Sequence, residues 1–428
     1  MHRSRDSAKR SVGMTDPLRK PSRKNPVERT RKPTLPAAAR SRTFHGMTRA
    51  AAEGRFELQV CHECRQVQYP PRDACGYCLS HRLQWSEVDR SARLVATTVL
   101  HHSNDVYFRE RLPWRIGTVQ MTAGPVVIAH VHPACQEGMP VQLEMKLDRS
   151  GNAALFAVSQ ALPPHYQDDP MMREMTNDVK FRRVLVTDGK SALGMAMIRT
   201  LLQTDASIVF VGDPQPWRPS SAFNTLLADS RVQVHSMDVT DSDSLERVAA
   251  EIGGKVDVLI NTADLLRDGG MLGTNTISTA SDMFDVSCLG LLRLAQTFGG
   301  AMAGRAADGA NSASAWVNIF SVHAMASLPS RGVWSAAQAG GLSLSHCLRA
   351  EMQMAGIRVM NVFTGPVDYE WEQTTPPPRV APSQIARQIV QALANGLEDV
   401  YVGDVANDIR ERLRSNAKAL ERELAGGN

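Results

Sequence analysis

At 428 residues the chain is long enough for two or three domains, and a hydrophobic fraction of 43% supplies a sizeable core. The net charge of +4 conceals an asymmetry: residues 1–49 hold 14 Lys/Arg against 3 Asp/Glu, which leaves 34 bases and 41 acids elsewhere. The rest of the chain is net acidic, so the overall basic balance is no argument that the folded part binds nucleic acid.

The first segment, RKPSRKNPVERTRKPTLPAAARSR, interleaves proline with charge and lacks a repeating apolar face. It predicts a disordered basic tail over residues 1–46. No apolar run follows the early arginines and no stretch approaches about 18 apolar residues, so neither an export signal nor a membrane span is expected. A cytoplasmic location is the expectation.

Residues 47–56 (MTRAAAEGRF) predict a short helix that leads into Cys61, Cys64, Cys75 and Cys78. These four of the seven cysteines form CxxC, ten residues, CxxC. Each pair sits on a tight turn that aims two sulfurs at one ion, and four thiolates complete a closed tetrahedral zinc shell with no position left for water. The site is therefore expected to be structural, and a module of this size uses metal in place of a core. His62 reads as an exposed bystander, while Cys135, Cys288 and Cys347 read as small buried residues.

From about Gln84 to Gln160 the chain turns β-rich, with LQWSEV, ARLVATTVL, RIGTVQMT, PVVIAHVH, PVQLEMKL and AALFAVS as short runs between turn residues. Five or six such strands predict a small barrel. His101, His102, His130 and His132 read as solvated or satisfied core groups rather than a second metal site. Residues 163–180 are polar and aperiodic and predict a linker. Beyond them RRVLVTD, ASIVFVGD, VQVHSMD, VDVLINTA, AWVNIFS and IRVMNVFT are apolar without alternation, as buried parallel strands are, with helical segments between.

The expected architecture is multidomain. A helix and zinc ribbon occupy 47–82, an antiparallel OB-type barrel 83–162, a linker 163–180, and a Rossmann-like doubly wound α/β domain 181–428.

Two resemblances attach to these motifs. FELQVCHECRQVQYPPRDACGYC, followed by the β segment containing EGMPVQLEM, resembles the zinc-ribbon plus OB-fold accessory proteins that bind acyl-CoA and partner thiolase-like or aldolase-like enzymes. In that family ribbon and barrel are not catalytic and help hold the acyl-CoA at a partner's active site. The loop HHSNDVYFRERLPWR, with Arg109, Arg111 and Arg115 among Tyr107, Phe108 and Trp114, is the candidate contact for CoA phosphates and adenine. Its alternative is an ordinary inter-strand loop. Sparse aromatics and interspersed acids argue against nucleic acid as the barrel's ligand.

From Phe181 onward the chain resembles a short-chain dehydrogenase. TDGKSALG stands where that family has its glycine-rich loop: Gly194 is in register, Gly189 lies one residue late, and Asp188 and Ala192 take the other glycine places. A carboxylate about 4 Å from a pyrophosphate costs roughly 4 kcal/mol at an effective dielectric near 20, about a thousandfold in affinity, and far less if turned away. Asp213 stands where an acid binds ribose hydroxyls, or merely caps a turn. Asp238 and Val239 match the adenine-flanking pair, and Asn261, Thr262, Ala263 and Asp264 replace the family's NNAG. NAD binding stays open on these residues.

Ser321 matches the catalytic serine, but Trp334 stands at the tyrosine, Gln338 at the lysine, and Ser287 at the supporting asparagine. Carbonyl reduction needs a phenol to donate a proton and an ammonium to lower the phenol's pKa, and indole and carboxamide do neither. No tyrosine lies between Tyr166 and Tyr369, nor any lysine between Lys255 and Lys418. The helices AQTFGGAMAG and WSAAQAGGLSLSHCLRAEM are of the small-residue type through which the family oligomerises, and EDVYVGDVANDIRERLRSNAKALEREL resembles its C-terminal helix. The chain therefore reads as an acyl-CoA-binding accessory subunit with a degenerate dehydrogenase domain; the alternative is an NAD-dependent oxidoreductase acting on an acyl-CoA.

Overall fold

A computed structural model describes residues 33–160, 169, 172, 173, 175, 177–273, 276–307, 313–369 and 377–426. Among these, no helix is long and apolar enough to cross a membrane. Residues 1–32 of the expected disordered tail lie outside the described residues. Its last part, 33–46, departs from the expectation because neighbouring side chains bond its backbone carbonyls: Ser150 Oγ donates to Pro36 O, and Asn152 Nδ2 to Ala38 O at 3.4 Å. Thr34 Oγ1 is held between Glu110 and Arg111 at 2.8 and 3.0 Å.

Helix α1 (His45–Ala52) buries Met47, Ala50 and Ala51 against the interior of the barrel that follows. The ribbon is a three-stranded sheet of β1 (Glu57–Cys61), β2 (Val67–Gln68) and β3 (Leu83–Glu87), in the order β2-β1-β3. The run LQWSEV, expected in the barrel, thus belongs here: β3 pairs antiparallel with all of β1, from Glu57 opposite Glu87 to Cys61 opposite Leu83.

Five strands close the barrel in the order β4-β5-β6-β8-β7: β4 (Ser91–Leu100), β5 (Trp114–Met121), β6 (Val126–Val131), β7 (Pro140–Leu147) and β8 (Ala153–Ser159). Alternation along β7 sends Val141, Leu143, Met145 and Leu147 inward. The described residues of the expected linker are not all solvated, because Met172 and Met175 pack with Tyr107, Trp114 and Phe156 against the barrel's outside.

Seven parallel strands form the second sheet, in the order β11-β10-β9-β12-β13-β14-β15. They are β9 (Arg183–Val186), β10 (Ile208–Asp213), β11 (Val232–Ser236), β12 (Val258–Asn261), β13 (Ala315–Ser321), β14 (Arg358–Thr364) and β15 (Asp399–Val402). β15 lies inside the stretch expected to lead into the C-terminal helix; it adds to β14 with Asn361 opposite Asp399. One face of the sheet is covered by α3 (Ala192–Gln203), through Leu193, Met197 and Leu201. The other carries α5 (Ser242–Ile252), α7 (Gly290–Arg305) and α8 (Gly332–Gln353), through Leu245, Phe298 and Met352. Burial on both faces is why β9, β10, β12, β13 and β14 lack polar alternation, whereas β11, expected to be buried, lies at the sheet edge and leaves Gln233, Val234 and Ser236 exposed. Order reverses between β9 and β12, so the crevice for a ligand opens above their carboxyl ends.

Barrel and sheet domain are bonded to one another. Arg358 Nη2, on the sheet side, donates to Leu147 O and Asp148 O at 3.1 Å each, and Gln353 Nε2 to Ser150 O at 2.9 Å. The receiving turn is set by Asp148 Oδ1, which accepts from Ser150 N at 2.8 Å and Asn152 N at 3.0 Å, while Gly151 supplies φ +77°. Glu53 meets Arg410 and Arg414 of the C-terminal helix α10 (Asp404–Gly426) at 3.5 and 3.1 Å.

Candidate functional site

Cys61 and Cys75 each open a tight turn. Arg65 N bonds Cys61 O and Leu79 N bonds Cys75 O, both at 3.0 Å, and Arg65 and Leu79 both take left-handed backbone. These twin turns bring Cys61 and Cys78 Sγ to 3.5 Å, Cys64 and Cys75 Sγ to 3.5 Å, and all four sulfurs within 4.8 Å of one another. Ligands about 2.3 Å from a tetrahedral zinc stand about 3.8 Å apart, so the set fits that ion. His62 is exposed and outside the cluster.

The arginine-bearing barrel loop differs from the expectation. Tyr107 and Trp114 are buried, because their rings pack edge-to-face with Phe108 at 5.1 and 5.0 Å, so they offer no face to a purine. Arg111 is held by Thr34 and by Tyr107 O, and Arg115 by Pro133 O and Cys135 O. Arg109 remains exposed. His130 accepts from Trp114 Nε1 at 2.9 Å, and burial holds its pKa down at about 4, as a satisfied core histidine. His132 Nδ1 accepts from Ala134 N at 3.2 Å, and His101 and His102 are exposed.

In the sheet domain the glycine-rich loop has filled itself. Asp188 Oδ1 accepts from Lys190 N and Ser191 N at 3.1 Å each, so a carboxylate occupies amides that would face a phosphate. Burial and the Asp213 carboxylate push the Asp188 pKa up to about 6, against the pull of those amides. Lys190 Nζ lies 2.7 Å from Asp213 Oδ2 and donates to Arg218 O at 2.7 Å, so the acid aligned with ribose recognition already holds an ammonium. Gly189 and Gly194 serve packing: a Cβ would come 2.0 Å from Val211 Cγ1 at the first and 1.9 Å from Asp188 O at the second. Asp238 Oδ1 is bonded to Thr240 N and Oγ1 at 2.8 Å, and Val239 is buried beneath Gly290. Asn261 Oδ1 accepts from Thr187 Oγ1 at 2.9 Å, tying β12 to β9.

The positions aligned with a dehydrogenase's reacting groups converge on a partner that sequence reasoning did not assign. Trp334 Nε1 donates to Asp264 Oδ1 at 3.1 Å and Gln338 Nε2 to the same oxygen at 3.0 Å. Gln338 also reaches Ser287 Oγ at 3.4 Å and accepts from Ser321 N at 3.1 Å. Ser321 Oγ accepts from His323 N at 3.1 Å and so caps the turn after β13. Desolvation lowers the pKa of buried His323, whose Nδ1 meets Ala326 O at 2.9 Å. All four aligned positions are thus together, in one hydrogen-bonded network without phenol or ammonium.

Three family profiles match consecutive stretches: a ChsH2 rubredoxin-like zinc ribbon domain over residues 48–84, a ChsH2 C-terminal OB-fold domain over 85–146, and short chain dehydrogenase over 182–378. The chain joins ChsH2-type domains to a short chain dehydrogenase domain. Similar proteins include the ketoacyl reductase HetN of Nostoc sp., 24% identical over 54% of this chain and 81% of that protein. Another is dehydrogenase/reductase SDR family member 7B of Bos taurus, 27% identical over 55% and 78%. Among solved structures, a short chain dehydrogenase from Burkholderia cenocepacia in complex with NADP superposes with a TM-score of 0.52 at 27% identity, covering 58% of this chain and 98% of that one.

Within the short chain dehydrogenase domain the network floors a cavity of about 560 Å³ at the carboxyl edge of the sheet. Leu193, Leu266, Ile319, Val367, Ile409 and Leu424 give it apolar walls. Asp264 was legible only as an acid added where the family motif ends in glycine. Its pairing with Trp334 and Gln338 spans 70 and 74 residues, beyond the reach of any local pattern.

Proposed function

We propose that this chain is an accessory subunit that binds acyl-CoA and partners a thiolase-like or aldolase-like enzyme, while its short chain dehydrogenase domain scaffolds without hydride chemistry. The observation that carries the reading is the network of Trp334, Gln338 and Asp264: where a carbonyl would be protonated, two neutral donors are already spent on a carboxylate. Indole and carboxamide exchange no proton near neutral pH, and Asp264 between them is an acceptor.

The remaining parts favour the same reading. Cys61, Cys64, Cys75 and Cys78 would hold a structural zinc, which supplies a rigid cross-link to a ribbon with little core of its own. The dinucleotide residues fit their group poorly, with Asp188 on the loop amides and Lys190 on Asp213, so no step is routed through NAD. Gly300 and Gly304 on α7 leave open space beside them, and Leu289 and Leu292 earlier in the same helical stretch are exposed, which supports a homo-oligomer through this helix. The cytoplasm is the proposed compartment.

A second reading, an NAD-dependent oxidoreductase acting on acyl-CoA, draws on Ser321, Gly194 and Asp213 and on relatives named as reductases. Two measurements test the accessory reading: co-purification from native host extract, which separates it from the second, and calorimetry with hexanoyl-CoA, which tests the ligand both share. The accessory reading expects a stable complex with a thiolase-like or aldolase-like enzyme and a measurable heat of binding. A chain that elutes alone and binds no acyl-CoA at millimolar concentration overturns it.

A further inference from the structure

The C-terminal helix is tied to the barrel at one point and lies over the sheet domain at another. α10 breaks at Asn416 (φ −158°, ψ 85°), whose Oδ1 accepts from Ala419 N at 3.1 Å and starts a second helical segment. That segment, residues 417–426, folds back on the first. Leu420 is buried against Val322 and Ile409, Glu423 pairs with Arg412 across the break, and Leu424 lines the cavity wall. So short a helix is marginal in water, and among the described residues of this segment Leu420 alone is buried. Its order therefore depends on the segment before it, residues 404–415.

Alternate arginines of that first segment face two ways. Arg412 reaches Asp408 at 3.3 Å and Glu423, inside the hairpin. Arg410 and Arg414, one helical turn apart, both reach Glu53 of the barrel domain, at 3.5 and 3.1 Å, and the Arg410 guanidinium lies 4.5 Å from the centre of the Tyr401 ring. Glu53 caps the C-terminus of α1, where the helix dipole disfavours an acid, so its place is set by the arginines rather than by local preference. α1 in turn is fixed from two sides. Met47, Ala50 and Ala51 fill the barrel core, and Glu398 N of the sheet domain donates to Ala52 O at 3.2 Å.

We propose that Glu53 latches the C-terminal hairpin, so that the seating of α1 in the barrel controls whether residues 417–426 stay closed over the sheet domain. The contacts run without a gap from α1 through Glu53 to Arg410 and Arg414, and from Arg412 through Glu423 to the segment that carries Leu420 and Leu424. Partly exposed ion pairs shift an opening equilibrium by up to about fivefold each, so the latch is weak enough for a partner that moves α1 to release it. The inference goes beyond the accessory reading and does not rest on it: the latch gives the barrel a hold on the sheet domain whether or not that domain is catalytic.

Hydrogen exchange read by mass spectrometry on the full zinc-loaded chain tests it. Glu53→Gln should speed exchange of residues 417–426 about fivefold and Glu53→Arg about tenfold or more, with β12 and β13 unchanged. Adding Arg410→Glu and Arg414→Glu to Glu53→Arg re-forms the pairs with reversed sign, and should return exchange to within about twofold of native. Met47→Ala loosens α1 from inside the barrel core and should speed exchange in the same C-terminal segment. Trypsin cleavage after Lys418 and Arg422 should follow the same order among the variants. Unchanged exchange of 417–426 in the Glu53 variants, acceleration shared equally by β12 and β13, no recovery in the triple variant, or a loosened α1 with 417–426 unchanged overturns the proposal. Glu53→Gln covers the case in which Glu53→Arg fails to fold, and circular dichroism with zinc content verifies each variant.

Discussion

Replacing Asp188 by glycine should reopen the pyrophosphate cradle. In the native chain Asp188 Oδ1 lies 3.1 Å from both Lys190 N and Ser191 N, so a phosphate using those amides approaches a carboxylate to about 4 Å. Repulsion there is worth roughly 4 kcal/mol at an effective dielectric near 20, about a thousandfold in Kd. At pH 7 the roughly one-in-ten protonated fraction caps that penalty, so Asp188→Gly is expected to tighten ADP-ribose by about tenfold, measured by calorimetry, with Lys190 still on Asp213 limiting the gain. Acidification should act in the same direction. The Asp188 pKa is raised to about 6, so roughly one molecule in ten is protonated at pH 7 and nine in ten at pH 5. Native ADP-ribose binding should then tighten about tenfold over that interval, and Asp188→Gly should remove the dependence. A folded Asp188→Gly protein whose Kd stays within about threefold of native, with the same pH profile, would refute the reasoning.

Cys64→Ser should release the metal, taking zinc from about one equivalent per chain to below half by elemental analysis, and expose residues 55–80 to protease while the sheet domain stays folded. Gly194→Ala places a methyl 1.9 Å from Asp188 O, a backbone atom, and should lower stability by about 3 kcal/mol in urea unfolding; a loss below 1 kcal/mol speaks against that packing. Glu53→Gln removes an acid that Arg55, Arg410 and Arg414 share, and should cost about 1 kcal/mol after solvent screening, read as a Tm lower by about 2 °C. Burial opposes the Glu53 charge, but those arginines hold its pKa below the usual range. Its contribution is thus present above the unfolded carboxylate pKa and lost as pH falls through the depressed folded value, a loss that Glu53→Gln should abolish.

Much of this was legible in the sequence because the signals were local. Cys61, Cys64, Cys75 and Cys78 announce a tetrahedral shell by spacing, and five of the seven parallel strands are apolar on both faces, while Val232–Ser236 at the sheet edge leaves Gln233 and Val234 exposed. The seventh, Asp399–Val402, is short and flanked by Glu398 and Asp404, so its periodicity was swamped by the charged helix beyond. Leu83–Glu87 was recognisable as a strand, but alternation does not say which sheet receives it. Residues 33–46 are pinned through carbonyls at Pro36 and Ala38, groups every residue carries. Tyr107 and Trp114 were ambiguous in kind, since an aromatic near arginines can stack on a ligand or fill a core. The substitutions Trp334 and Gln338 were visible as losses; that Asp264 converts them into one network needed the fold.

NAD(P)H oxidation by the full zinc-loaded chain with a ketoacyl-CoA tests the central claim most directly. The account predicts no turnover above background, because Trp334 and Gln338 donate to Asp264 and supply no proton. Steady oxidation above about 1 s⁻¹ would contradict it and restore the oxidoreductase reading.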